Sequence, residues 1–188
     1  MPLNERPAYA DRVELVPDTK DWTWVLRRSC PACGFTASDV AVTDLAARTR
    51  ATVPPWQRVL ARPSAAVRPA PAVWSPLEYA CHVRDVYRLF DRRLRLMLDR
   101  DDPTFEDWDQ DETAVRDRYR EQGPAIVGAH LVEAGEAIAA TFDGVPAGAW
   151  PRSGRRSNGS VFTVASLGRY FLHDVVHHLH DVAADPAG

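Results

Sequence analysis

The chain has 188 residues, a length that fits one domain with enough surface to bury a hydrophobic core. Its 26 acidic and 23 basic residues give a net charge of −3, which excludes the basic surface typical of nucleic-acid-binding proteins. No unbroken apolar run approaches about 18 residues, so we expect no membrane-spanning helix. The first residues lack the apolar stretch of a secretion signal, and three cysteines fit a reducing compartment, so we expect a cytoplasmic protein.

The N-terminal part predicts a short β-hairpin followed by a helix. Residues 12–26, RVELVPDTKDWTWVL, alternate as two short strands around a PDTKD turn. The later segment SDVAVTDLAARTRATVPPWQRVLAR is typical of a helix, with Ser38 as its N-cap. Pro54 and Pro55 should kink or break that helix.

Three further helices are predicted. The second begins at WSPLEYACHV, where Ser75, Pro76 and Glu78 form a capping-box start, and it continues to about Arg100. The third and fourth are expected over residues 113–141, with a bend at Gly123-Pro124, and over residues 163–184.

Four long amphipathic segments without parallel-strand signals predict an all-α fold, a four-helix bundle. We expect two parts: an N-terminal extension (residues 1–36) with the hairpin and a CPACG turn, and the bundle itself (residues 37–188).

The CPACG turn carries Cys30 and Cys33 and resembles half of a zinc knuckle. There is no second CxxC, no histidine before His82, and the third cysteine is Cys81, so a closed four-cysteine zinc ribbon is excluded within one chain. A redox pair, a metal site completed by distant residues, and simple apolar packing all remain open. We expect no role for this pair in the main chemistry.

The stretch FLHDVVHHLHDV holds four histidines within eight positions. On a helical wheel, His173, His177 and His180 lie together beside the apolar arc, whereas Asp174 and His178 lie away from them. The i, i+4 pair of His173 and His177 is the arrangement that lets two imidazoles of one helix bind one metal ion. A solvated helix face that is rich in histidine is the alternative.

A third metal ligand has to come from another helix. His82, in YACHVRD, lies at the margin of the apolar arc of the second predicted helix, from which it could reach a neighbouring helix. His82, His173 and His177 are therefore the candidate metal ligands.

The order of WSPLEYACHVRD, a third long helix and a last helix with HDVVHHLHDV resembles the DinB superfamily, which includes mycothiol-dependent maleylpyruvate isomerases and bacillithiol transferases. The resemblance covers roughly residues 37–184. It implies a four-helix bundle with a divalent metal, often zinc or nickel, bound at the positions of His82, His173 and His177. Many relatives have glutamine where this chain has His180, which leaves a supporting or fourth-ligand role open for His180.

Three neutral imidazoles leave an ion with open positions, which is typical of a catalytic metal. The resemblance implies an S-transferase that uses a low-molecular-weight thiol, and the single lysine among many arginines favours mycothiol through a high-GC genome. Metal-dependent hydrolysis of a small molecule is the other enzymatic option. No catalytic acid or base is assigned, because Asp85 and Asp181 could each orient a ligand ring or form solvated ion pairs.

The loop PRSGRRSNGS concentrates Arg152, Arg155 and Arg156 among glycines and serines just before the last helix. Arginine side chains and free backbone amides suit carboxylate or phosphate groups, so these three arginines are candidates for binding an anionic cofactor. A flexible solvated loop is the alternative.

Three hypotheses follow for the function. The first is a metal-dependent enzyme acting on a small-molecule substrate, with homodimer formation through helix faces implied by the resemblance. The second is a binding or sensing module that uses the same bundle. The third is a plain structural bundle with a histidine-rich surface.

Overall fold

The computed structural model describes residues 21–183. The helices and strands in this part of the chain are, in order, α1 (Leu45–Leu60), α2 (Pro76–Asp99), β1 (Thr104–Phe105), α3 (Gln110–Arg116), α4 (Pro124–Asp143), β2 (Ser153–Arg156), β3 (Val161–Thr163) and α5 (Val164–Ala183). Short 3₁₀ helices precede α1 at Trp22–Leu26, Ala37–Asp39 and Val42–Asp44.

The four long helices form the predicted bundle. Helices α4 and α5 each pack against both α1 and α2. Phe171 of α5 lies at the centre, with its ring centroid 5.7 Å from Tyr87, 5.5 Å from Phe90 and 5.8 Å from Phe142. A Cβ atom at Gly168 would come within 2.6 Å of Leu45 Cδ1, so glycine at this position lets α5 approach α1 closely.

The start of α2 is fixed as the sequence predicts. The Ser75 side chain accepts a hydrogen bond from the Glu78 backbone, and the Glu78 carboxylate accepts one from the Ser75 backbone. Arg68 of the preceding connector binds the same carboxylate, which is almost fully buried. These contacts tie the connector to α2 one turn before His82.

Two predicted helices differ from the observed ones. α1 begins at Leu45 rather than after Ser38, and it continues through Pro54 and Pro55 without a break. Trp56 is fully buried directly after the prolines, and tertiary packing of this kind can hold a helix together despite lost backbone donors. The predicted third helix is divided into α3 and α4, because Pro124 suits the first position of a new helix.

The predicted N-terminal hairpin is not seen where the structure describes it. Trp22–Leu26 is a 3₁₀ helix capped by Asp21, which accepts a hydrogen bond from the Thr23 backbone. The first predicted strand lies outside the described residues, and the boundary at residue 36 stays a prediction. Among residues 21–183 the strands lie elsewhere: β1 follows α2, whereas β2 and β3 precede α5. β2 pairs antiparallel with β3 and parallel with β1.

Helix α4 is long and apolar enough to cross a membrane by length and composition alone. Its buried side chains, among them Leu131 and Ile138, pack instead against α1 and α2. That packing is the arrangement of a core helix in a globular bundle.

Candidate metal centres

Helix α5 presents two pairs of metal-binding side chains on adjacent faces. His173 and His177 form one i, i+4 pair, and Asp174 and His178 form a second pair one position further along. Consecutive residues of an α-helix are about 100° apart around the axis, so the two pairs face different neighbours. The first pair faces the N-terminal segment, and the second faces α2.

The second pair meets His82 in a group that we call the α2–α5 cluster: His82, Asp174 and His178. One ligand atom of each lies within 4.8 Å of the other two. His82 Nε2 is 3.5 Å, and His178 Nε2 is 3.7 Å, from Asp174 Oδ1. Zinc bonds of about 2.0–2.1 Å in a tetrahedral site place neighbouring ligand atoms about 3.3 Å apart. The observed separations are therefore close to those of a shared ion.

Buried polar atoms in this cluster make no hydrogen bond among the described residues. His82 is fully buried, yet neither ring nitrogen makes a hydrogen bond, and the same is true of Asp174 Oδ1. An unpaired buried polar group costs about 1–3 kcal/mol, so such groups are rare in folded proteins. A cation bound between these atoms would satisfy them, and the side chains therefore fit a divalent metal.

The protonation states also suit a cation. Burial lowers the pKa of His82, so its ring is neutral at neutral pH. Burial acts to raise the pKa of Asp174, but the contact with His82 and the nearby His178 hold that pKa below its usual value. Two imidazoles and one carboxylate form the donor set of open, catalytic zinc and iron sites.

Asp181 orients His178. The ring Nδ1 donates a hydrogen bond to Asp181 Oδ2 at 3.0 Å, which leaves Nε2 directed at Asp174. Asp181 Oδ1 also lies 3.7 Å from His177 Nε2. A carboxylate behind a ligating histidine is the usual means of fixing the ring and its tautomer.

The other two candidate supporting residues have different surroundings. Asp85 accepts hydrogen bonds from Arg84 and from the Tyr119 hydroxyl, at 2.8 Å and 2.7 Å to Oδ2. This is the ion-pair alternative that the sequence left open. His180 is exposed on α5 and belongs to neither cluster.

A cavity of about 1020 Å³ lies over the α2–α5 cluster. Asp174, His178 and Asp181 form part of its wall. Six aromatic side chains supply much of the remainder: Trp22, Trp74, Tyr79, Phe90, Trp108 and Tyr170. Trp108 stacks on His82 with ring centroids 5.3 Å apart. The candidate ion site therefore adjoins a large cavity with aromatic walls.

Two arginines also line this cavity. Arg93 is nearly fully buried, and its Nε has no hydrogen bond among the described residues. Burial and the nearby Arg156 lower the pKa of Arg93 to about 10, so it stays charged at neutral pH. Asp107 lies 3.5 Å from Arg156 and offsets part of that charge. The cavity thus carries two cationic side chains beside the metal-binding wall, together with the carboxylates of Asp21, Asp107, Asp109, Asp111 and Glu112.

Only one of the three arginines predicted to bind a cofactor reaches this cavity. Arg156 lines it, as its place in β2 dictates. Arg152 donates instead to the backbone oxygens of Met97 and Arg100. Arg155 pairs with Asp102 at 2.7 Å. These two arginines tie the strands to the end of α2.

The first pair of α5 meets the CPACG turn in a group that we call the cysteine cluster: Cys30, Cys33, His173 and His177. One ligand atom of each lies within 4.8 Å of the others. Burial lowers the pKa of His173 to about 4, and it also lowers the pKa of His177, so both rings are neutral at neutral pH. Burial raises the pKa of the Cys33 thiol.

The structure thus divides the predicted triad of His82, His173 and His177 between two clusters. His173 and His177 lie with the cysteines, and His82 lies with Asp174 and His178, the two residues that the wheel set apart. The reason is that the segment before α1 covers one flank of α5, so α5 is enclosed on both sides of its apolar arc. In the sequence, the second pair could have been found from the i, i+4 spacing of Asp174 and His178.

Comparison with known proteins agrees with this architecture. The family model described as the DinB superfamily matches residues 46–182. The fold is similar to that of YfiT from Bacillus subtilis, a probable metal-dependent hydrolase with an unusual four-helix bundle topology, with a TM-score of 0.59 and 16% identity over 76% of this chain and 81% of that one. No curated protein matches the sequence significantly. The family match covers most of the chain, and the protein belongs to the DinB superfamily.

Proposed function

We propose that this protein is a metal-dependent enzyme that binds its ion with His82, Asp174 and His178 and acts on a small anionic molecule in the adjoining cavity. The observation that carries the proposal is the fully buried His82, whose nitrogens make no hydrogen bond among the described residues. His82 Nε2 lies 3.5 Å from an Asp174 oxygen that makes no hydrogen bond there either. A divalent ion held there would supply Lewis-acid activation of a water molecule or a thiol.

The side chains around the cluster have distinct tasks in this proposal. Asp181 holds the His178 ring with Nε2 directed at Asp174. Arg93 and Arg156 bind a carboxylate or phosphate group of the substrate, since their charged planar groups suit such anions. The aromatic side chains present flat apolar surfaces to the rest of the molecule.

Hydrolysis is the reaction that we propose first. Two histidines and a carboxylate around zinc form a donor set typical of hydrolytic enzymes. The similar fold of YfiT, described as a probable metal-dependent hydrolase, supports the same reaction class. Zinc is therefore the first metal to test, and nickel is the second.

Thiol transfer is the second candidate, and the size of the cavity favours it. Ligand pockets commonly enclose about 300–1,000 Å³, and this cavity of about 1020 Å³ could hold a substrate together with a low-molecular-weight thiol such as mycothiol. Arg156 would then bind an anionic group of either molecule.

The test is metal content and turnover for the wild type and for His82→Ala, Asp174→Asn and His178→Ala. We expect each variant to lose about one divalent ion per chain and its activity on a panel of esters, amides and thiol conjugates bearing a carboxylate. His180→Ala, an exposed histidine of the same helix, is the matched control and should keep both.

Two results would contradict the proposal. One is a wild type that takes up no ion at the α2–α5 cluster when zinc or nickel is added. The other is a set of three variants with the metal content and activity of the wild type.

We further propose that the protein acts in the cytoplasm, which its three free thiols support. Homodimer formation stays a prediction of the family resemblance, and sedimentation at several concentrations would test it.

A further inference from the structure

The CPACG turn has the backbone conformation that directs two thiols to one side. The Gly34 N–H donates to the Cys30 carbonyl at 2.8 Å, and the Cys30 N–H donates to the Phe35 carbonyl at 2.9 Å. Gly34 has a φ of +74°, a conformation that glycine adopts without strain. The turn therefore presents Cys30 and Cys33 together, as a zinc knuckle does.

Helix α5 supplies two imidazoles to the same point. Cys30 Sγ lies 3.6 Å from His177 Nδ1. Zinc–sulfur and zinc–nitrogen bonds of about 2.3 Å and 2.0–2.1 Å, at a tetrahedral angle, place such ligand atoms about 3.6 Å apart. His173 Nε2 is buried and has no hydrogen bond among the described residues. The spacing and the unpaired nitrogen of His173 both indicate that an ion binds at the centre of the group.

This group is partly covered by aromatic rings, and His173 and His177 also line the cavity. Cys30 and His173 are buried, with 2% and 3% of their surface exposed. The Trp22 ring covers both histidines, with ring centroids 5.8 Å from His173 and 5.2 Å from His177. The Phe35 ring also packs against His173, with ring centroids 5.4 Å apart. Four protein ligands complete a tetrahedral set without an open position, which is typical of structural rather than catalytic zinc.

We propose that Cys30, Cys33, His173 and His177 bind one structural zinc ion, separate from the ion of the α2–α5 cluster, that fastens the N-terminal segment to α5. Binding releases one proton from each thiol, so two thiolates and two neutral imidazoles neutralise the charge of Zn²⁺. Sulfur and imidazole donors in this number select zinc over magnesium or calcium.

The ion would join Cys30 to His177, which are 147 residues apart in sequence, and this closes a long loop. The segment between Trp22 and Asp44 contains short 3₁₀ helices joined by turns and irregular backbone, which have little intrinsic stability. It also contributes Trp22 to the cavity wall. The zinc ion would therefore hold one wall of the proposed substrate cavity in place.

The test measures zinc content and X-ray absorption at the zinc edge for the wild type, the Cys30→Ser/Cys33→Ser double variant and His82→Ala. We expect about two ions per chain in the wild type and about one in each variant. The sulfur scatterers at about 2.3 Å should persist in His82→Ala and vanish in the double cysteine variant. Cys81→Ser, which alters the remaining thiol, should keep the sulfur signal.

A measurement on the wild type guards against a variant that fails to fold. A mercurial thiol reagent should release about one zinc equivalent and leave the other ion bound. Zinc content unchanged in a folded double cysteine variant would overturn the proposal. So would a zinc edge without sulfur scatterers, or a Cys30–Cys33 disulfide in protein purified under reducing conditions. None of these outcomes tests the ion bound by His82. That ion is tested only by the zinc content of His82→Ala.

Discussion

At the scale of single residues, Asp181 lies between the two candidate metal sites. Its Oδ2 accepts a hydrogen bond from His178 Nδ1 at 3.0 Å, and its Oδ1 lies 3.7 Å from His177 Nε2. Both rings would bind their ions through the opposite nitrogen, Nε2 of His178 and Nδ1 of His177. One carboxylate thus lies against a ligand ring of each site.

We predict that Asp181→Asn weakens zinc binding at both sites by about 10–100-fold, since removal of a supporting carboxylate typically has an effect of this size. Competition with a chelator for the two ions would measure the change. Asp85→Asn is the control, because Asp85 lies one turn after His82 but is bound to Arg84 and Tyr119. An equal loss of zinc affinity in Asp181→Asn and Asp85→Asn would show that contact of the carboxylate with a ligand ring does not decide the effect.

At the scale of elements, the start of α2 determines where His82 lies. Glu78 is almost fully buried, and it accepts hydrogen bonds from Arg68 and from the Ser75 backbone and hydroxyl. Burial acts to raise the pKa of Glu78, but the bonds from Arg68 and Ser75 outweigh burial and hold the pKa below its usual 4.5. The ionised carboxylate therefore stabilises the fold.

We predict that Glu78→Gln lowers the free energy of unfolding by about 2–3 kcal/mol at neutral pH, because it removes a buried charge-assisted pair and part of a helix cap. A group with a depressed folded pKa stabilises the protein above its unfolded pKa and loses this effect as the pH falls through the folded value. The difference between wild type and variant should thus be constant above about pH 5 and shrink below pH 4.5.

Denaturant titrations at several pH values would measure this difference. Glu136→Gln is the matched control, because Glu136 binds Arg50 through the same two-pronged contact on the exposed surface. The control should change the stability little, since solvent screens exposed pairs. A variant at Glu78 with the stability of the wild type at all pH values would contradict the role given to the capping contacts.

At the scale of the whole molecule, the bundle and the N-terminal segment depend on different forces. Helices α1, α2, α4 and α5 enclose a core of large apolar side chains. The segment from Trp22 to Asp44 lies against α5 and buries few side chains, chiefly Val25, Phe35 and Val40. Under the structural-zinc proposal, the cysteine cluster supplies the missing stability.

We predict that the double cysteine variant shows faster amide hydrogen exchange in residues 22–44 than the wild type, with unchanged exchange in α1 and α4. Local opening follows from weak local contacts, whereas the core helices open only with global unfolding. Exchange measured by mass spectrometry, with His82→Ala in parallel, would separate the two sites. Protection of residues 22–44 equal to that of the wild type would show that apolar packing alone holds the segment.

Much of the fold could be predicted from local patterns. The capping box at Ser75 and the periodic apolar stripe of the last helix located α2 and α5, because both depend on residues within one or two turns. The same patterns identified His82 and the histidines of α5 as candidate metal ligands. The match to the DinB superfamily confirms the bundle.

By itself, then, the sequence determined four long helices, the start of α2 and the concentration of metal-binding side chains on α5. Only the tertiary structure decided that Asp174 and His178, not His173 and His177, face His82, and that the CPACG turn meets α5. An apolar stripe predicts the rotation of a helix about its axis only to within about one residue, or about 100°. The two pairs are one residue apart, so the stripe cannot tell which of them faces α2. The meeting of Cys30 with His177 rests on contacts between distant parts of the chain, which leave no local periodicity to read.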